Sequence, residues 1–301
     1  MSLPSIAVLS AVWNEAEHIE EMVASLQAQT HPDWSVYFVD DGSTDDTAQI
    51  IQRLAAEDNR VKFVAKHEHR GKVAAFNAAF AASSEDLICL LAGDDKLPAN
   101  SLELRCQALS DADPHADMVA VWGKLKTFSD NPKEDGIIMP RGEAPSRSGA
   151  AGAITRVLAE KIFPIPEQLP NEDAWIQACC KGLATKEKAL TDIIANYRIH
   201  SGNTSPRHLT YEEFLKKQAL RGKVWQLLLE EPRLEFDEET RLNLERSRQM
   251  EEARARQSLL GILKVPGVPL LRKAAVAWKG NKILYRIRWS NYRLFNGWLK
   301  A

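Results

Sequence analysis

Among the adjacent carboxylates of the first hundred residues, two pairs directly follow apolar, strand-like runs: Asp40-Asp41 in YFVDDGSTDD and Asp94-Asp95 in LLAGDDKLP. Adjacent acids repel unless a cation or a hydrogen-bond partner neutralises them. The second pair has only Lys96 beside it. A hard divalent ion with oxygen ligands, Mg2+ or Mn2+, would neutralise it and bridge to a diphosphate. Asp41 suits a different task, accepting a hydrogen bond from a base N–H or a ribose hydroxyl. Both pairs also have plainer readings: a turn feeding a helix N-cap, and a capping turn ahead of Pro98.

The elements that must position these acids alternate regularly. Ser5 to Ala11 reads as a strand, and Glu17 to Gln29, with apolar Ile19, Met22, Val23 and Leu26, as a helix. Ser35 to Val39 is a second strand, and Ser43 to Asp46 offers a capping box before a helix through Ile50, Ile51 and Leu54. Val61 to Ala65, Lys72 to Ala82 and Leu87 to Leu91 follow as strand, helix and strand, and Pro98 opens another helix. This βαβαβαβ order predicts an α/β fold with a mainly parallel, Rossmann-like sheet covered by helices. Its ligands should sit beyond the carboxyl ends of the strands, where both Asp pairs fall. Ala11-Val12-Trp13-Asn14-Glu15 replaces the Gly-rich turn of a dinucleotide fold, which argues against a nicotinamide dehydrogenase and against a nucleotidyltransferase.

With 301 residues and 45% apolar content the chain can bury a full core. Its four cysteines form no C-x-x-C pair and read as reduced thiols. No basic leader precedes the first strand, and no run approaches the ~18 apolar residues of a spanning helix, so a cytoplasmic enzyme is expected.

Six segments, SIAVLSAVWNE, YFVDDGSTDDT, RGKVAAFNAAF, LICLLAGDD, LPNEDAWIQ and YRIHSGNTS, occur in an order that resembles the inverting family 2 glycosyltransferases of the GT-A fold, of the bacterial surface-polysaccharide type. The resemblance runs from about Pro4 to Ser205. It implies that Val12, Asn14 and Glu15 line a nucleotide pocket, that Asp41 binds the base and that Asp94 faces the ribose. Gly71 and Lys72 fall where the donor approaches, and a lysine there can neutralise phosphate charge. Asp95 matches the last acid of the family's metal-binding DxD-type motif, whereas Ala92 stands where the first acid is usual. Asp173 matches the general base, with Glu172 the second choice, and His200 the late histidine near the metal. The bland alternatives are a helix N-terminus at Gly71-Lys72, acids complementing a helix dipole at 172–173, and a structural histidine at 200.

The resemblance implies a catalytic domain over 1–206. Residues 207–301 read as a helical extension, with Tyr211 to Leu229 and Glu238 to Leu263 as long helices. Charge divides with the chain: residues 1–252 hold 28 Lys or Arg and all 41 Asp or Glu, while residues 253–301 hold eleven cations and no acid. Beyond Pro269, Lys279, Arg286, Arg293 and Lys300 recur every seven residues, with Leu284, Ile287, Leu294, Phe295 and Trp298 on another face. That pattern suits either an amphipathic helix on an anionic membrane surface or a face packed on protein, in this chain or in a homo-oligomer. No recognition motif accompanies the charge, so nucleic acid is not expected.

The function expected is transfer of a sugar from a nucleotide-sugar donor, expected to be UDP-linked, to a hydroxyl of a surface glycan or lipid-linked acceptor, with Mn2+ or Mg2+ as cofactor. The enzyme would be cytoplasmic and peripheral at the inner face of the plasma membrane. The alternative is a degenerate, nucleotide-binding scaffold at the membrane, which Ala92 favours. The segment from Trp122 to Pro170 is read as loops that shape the pocket, with Gly149 to Gly152 either letting backbone approach the acceptor or the donor sugar or forming a plain flexible turn.

Overall fold

The computed structural model describes residues 3–200 and 210–282. The chain divides into two compact units, Met1–Thr204 and Ser205–Ala301. The first unit carries eight strands: β1 (Ile6–Val12), β2 (Trp34–Asp40), β3 (Val61–Lys66), β4 (Leu87–Leu90), β5 (Val119–Phe128), β6 (Ile138–Met139), β7 (Gly152–Thr155) and β8 (Lys186–Arg198). Their order is β3-β2-β1-β4-β7-β5-β6, with β8 also paired to β5. The first four run parallel, whereas β7 is antiparallel to both β4 and β5.

Helices on both faces explain why the central strands are apolar runs rather than alternating ones: Ile6 to Leu9 and Ile88 are completely buried. Helix α1 (Ile19–Gln27) buries Ile19, Met22, Val23 and Leu26, one stripe of helical period. Helix α2 spans Thr47–Glu57, α3 Lys72–Ala82, α4 Ser101–Leu109, α5 Arg156–Ile162 and α6 Asp173–Leu183. The helix expected at Pro98 begins three residues later, with the Ser101 N–H bonded to the Pro98 carbonyl.

Two local expectations fail. Ser43 does not cap α2: its hydroxyl bonds the Asp40 carboxylate and accepts from the Asn14 N–H, while Asp45 takes the Thr47 N–H. The stretch from Trp122 to Pro170 holds most of β5, all of β6 and β7, and α5, rather than loops alone.

The second unit is helical, with α7 (Tyr211–Glu230), α8 (Glu238–Ala255), α9 (Leu259–Lys264) and α10 (Leu270–Gly280). Thr210 and Glu213 form a reciprocal capping box on α7. The single helix expected over Glu238 to Leu263 is broken at Gln257, whose φ is +53°, and Ser258 caps α9 instead. Met250, Ala253, Ile262, Val265 and Val268 make this unit's small core. The end of the YRIHSGNTS segment after His200 and the repeats from Leu284 to Lys300 lie outside the described residues.

Candidate functional site

The carboxyl ends of β1, β2 and β4 converge where the sheet order reverses, the usual crevice of an open α/β sheet. Asp40 and Asp41 have separate tasks there. Asp40 accepts the Ser43 N–H, and Lys66 lies 3.5 Å from its other oxygen, so its charge is spent inside the fold. Asp41 is 4% exposed, and both of its carboxylate oxygens lie 3.0 Å from the Gly71 nitrogen. Gly71 sits at φ +100°, a conformation that favours glycine.

Val12 accepts the Asp41 N–H at 2.8 Å and thereby sets the height of that acid. Asn14, at φ +54°, takes the Thr44 N–H on its side-chain oxygen. The Glu15 N–H bonds the Thr47 hydroxyl. These bonds clip the loop after β1 onto the loop after β2. Trp13, 52% exposed, lies with its ring 5.2 Å from that of His69, whose Nδ1 is 2.9 Å from the Asp41 carbonyl. An exposed aromatic surface thus flanks a buried acceptor, the combination that a planar, hydrogen-bonding base requires.

Asp94 and Asp95 follow β4 and are both buried. Burial, then the Asp94 charge, pushes the Asp95 carboxyl well above the usual carboxylate range. Glu15 is pushed up to about 8, first by burial and then by Asp94 and Asp45. The His200 Nε2 lies 3.1 Å from an Asp94 oxygen. Arg198 spans the cluster: its N–H donates to Asp95, its Nε donates to the Asp94 carbonyl, and its guanidinium pairs with Glu21. Gly93 lets the end of β4 pack against the end of β1 and the loop after it, since a Cβ there would come within 2.9 Å of both Glu15 and Val12 side chains.

The third acidic group lies at the start of α6. Lys72 Nζ is 2.9 Å from Glu172 Oε1, and Glu172 is 3% exposed with its other oxygen buried and unpartnered. Burial opposes the Lys72 charge, but Glu172 and Asp173 outweigh it and hold the ammonium above its ordinary range. Asp173, half-buried, accepts the Gly149 N–H at 2.8 Å. Gly149 opens a single 3-10 turn, Gly149–Ala151, braced from below by fully buried Arg105, which donates to the Ala150 carbonyl. The backbone of this segment thus donates to the Asp173 carboxylate.

Among the described residues no three His, Cys, Asp or Glu side chains converge as a closed metal cage. A cation held by one or two carboxylates and completed by substrate phosphates needs no such cage. Asp95, Asp94 and His200 offer oxygen and imidazole donors of that kind, and the mutual repulsion of the buried acids supplies the demand for positive charge. The residues present fit Mg2+ or Mn2+ on those terms.

The fold brings together every residue singled out by sequence: Val12, Asn14, Glu15, Asp41, Gly71, Lys72, Asp94, Asp95, Glu172, Asp173 and His200 all lie at strand ends or helix starts on this edge. Sequence reading misses Arg198, His69 and Trp13. Arg198 stands two residues before His200 in the YRIH motif, and that proximity was the available signal.

The family model for glycosyl transferase family 2 matches residues 7–161. An uncharacterised glycosyltransferase of Nostoc sp. is 31% identical over 236 residues, covering 71% of each chain. Several further curated glycosyltransferases are matched over less than half of their own length. Among solved structures, Staphylococcus aureus TarS 1-349 in complex with UDP-GlcNAc superposes with a TM-score of 0.60 at 18% identity, over 94% of this chain and 81% of that one. The mannosyltransferase PcManGT of Pyrobaculum calidifontis, in complex with GDP-Man and Mn2+, gives 0.57 at 17% identity, over 98% and 81%. These likenesses agree with the mainly parallel, helix-covered GT-A fold. The chain belongs to the family 2 glycosyltransferases, and it is a transferase enzyme.

Proposed function

We propose that the enzyme moves a sugar from a UDP-linked donor to a hydroxyl of a surface glycan or its lipid-linked precursor, inverting the anomeric centre, at the cytoplasmic face of a membrane. The observation that carries this reading is the position of Lys72, bonded to Glu172 and electrostatically coupled to both Asp173 and Asp95. One cation thus links the acid assigned to the acceptor hydroxyl with the acid assigned to the diphosphate. The UDP-GlcNAc bound by TarS and the GDP-Man and Mn2+ bound by PcManGT support a nucleotide-sugar donor here.

In this reading Asp41 accepts from the base, beside the Trp13 and His69 rings, and Asn14 and Glu15 line the ribose side with Asp94. Asp95 and His200, with Asp94, would hold Mg2+ or Mn2+, which when bound neutralises diphosphate charge as the leaving group departs. Asp173 accepts the proton of the acceptor hydroxyl as its oxygen bonds the anomeric carbon. The bond from that carbon to the diphosphate oxygen breaks on the opposite face. The Gly149 N–H keeps the Asp173 carboxylate oriented, and Lys72 holds Glu172 away from the proton.

The test is turnover of a panel of nucleotide sugars with Mn2+, with the anomeric configuration of the product read by NMR. Wild type should give the inverted product, and Asp95→Asn and Asp173→Asn should each lose it while staying folded. Undiminished transfer by both variants would refute the assignment.

A further inference from the structure

We propose that α9 and the first turn of α10 form a docking surface for an anionic lipid bilayer. Leu259, Leu260 and Leu263 on α9 are 51%, 70% and 56% exposed, and Leu270 and Leu271 at the start of α10 are 76% and 86% exposed. Large apolar side chains this exposed and this close in sequence are uncommon on a surface that meets only water. At about 100° per residue the three α9 leucines fall within one arc, and buried Ile262 lies outside it. On α10, exposed Ala274 falls between Leu270 and Leu271 by the same spacing. Both helices pack on one core through Ile262, Val265, Val268 and Val276, so each turns its leucine arc away from that core.

Charge decides what occupies the surface. Lys264 and Arg256 are exposed beside the α9 leucines, exposed Arg272 next to Leu271 donates to the Ser247 hydroxyl of α8, and no acid follows Glu252. A second copy of the chain docked by a two-fold axis would set these cations against themselves. Anionic headgroups complement them, at about 1 kcal/mol for each cation near the surface, while the leucines enter the acyl boundary. Among the described residues no helix is long and apolar enough to cross a membrane. Pro266, Gly267 at φ +68° and Pro269 form the short turn that joins the two helices.

The inference extends the lipid-acceptor reading, but it rests on the leucines and cations alone. The full chain is incubated with vesicles of phosphatidylcholine, with and without phosphatidylglycerol, and sedimented. Wild type should bind the anionic vesicles and lose them in high salt. Leu260→Gln combined with Leu263→Gln, Leu270→Gln and Leu271→Gln should weaken binding at least about tenfold without changing the melting temperature. Lys264→Glu with Arg256→Glu should weaken it on anionic vesicles as well. Equal binding by the leucine variant overturns the proposal, as does a dimer in solution that the same substitutions dissociate. Transfer to a water-soluble acceptor should be unchanged in the leucine variant, and its loss would also count against a purely docking role. Failure of the donor assignment would show instead as absent transfer with vesicle binding intact.

Discussion

Lys72 Nζ stands 2.9 Å from Glu172 Oε1, joining the first turn of α3 to the start of α6. Removing the cation strands a buried carboxylate and withdraws positive charge from Asp173 and Asp95 together. Lys72→Met should lower transfer by at least about 100-fold. Its stability cost should be about 1–2 kcal/mol, below that of a fully buried pair because the lysine side chain is 40% exposed. Adding Glu172→Gln should recover the melting temperature but not the activity; recovery of both would make the pair structural.

Asp173 and Gly149 give a second check. Asp173→Asn should reduce kcat by roughly 10²–10⁴ with the donor KM little changed. At Gly149 an added Cβ would stand 3.3 Å from the Asp173 carboxylate. Gly149→Ala should therefore reduce kcat less, roughly tenfold, by displacing the base. Steady-state kinetics separates the two, and a large rise in donor KM for either would argue against a role confined to the acceptor.

Gly93 tests the packing beneath the acidic cluster. A Cβ there meets Glu15 Cγ and Val12 Cγ1, both at 2.9 Å. Gly93→Ala should cost about 1–3 kcal/mol in denaturant unfolding and weaken UDP binding through the displaced loop. A fully stable variant with unaltered UDP affinity would show that this contact constrains nothing.

Glu15 predicts a pH dependence. Its pKa, pushed up from 4.5 to about 8 by burial and by Asp94 and Asp45, means the folded form keeps a proton that the unfolded form releases between those values. The associated stability is complete below pH 4.5 and is lost as pH rises through 8. Thermal melts in EDTA should fall across that window for wild type and less steeply for Glu15→Gln. Identical slopes would remove Glu15 as the source.

Where chemistry and local pattern coincide, the sequence was readable. The helix Lys72–Ala82 was delimited correctly, and the acids of β2, β4 and α6 lie on the expected edge. What escaped depended on partners remote in sequence. Ser43 looked like a helix cap, but Asp40 and Asn14 compete for its hydroxyl across the β1–β2 loops. Arg198 lies inside the YRIH motif, but its importance comes from reaching Asp94, Asp95 and Glu21, which only the fold brings near. The break at Gln257 was hidden because a run of Glu and Arg has helical propensity throughout.

The central claim, that this acidic sheet edge holds a nucleotide diphosphate through a divalent cation, is tested most directly by calorimetric titration of the full chain with UDP, with Mn2+ and with EDTA. Wild type should bind UDP with Mn2+ and lose most of that affinity in EDTA, and Asp95→Asn should behave with Mn2+ as wild type does without it. Equal UDP affinity in all three cases would contradict the account.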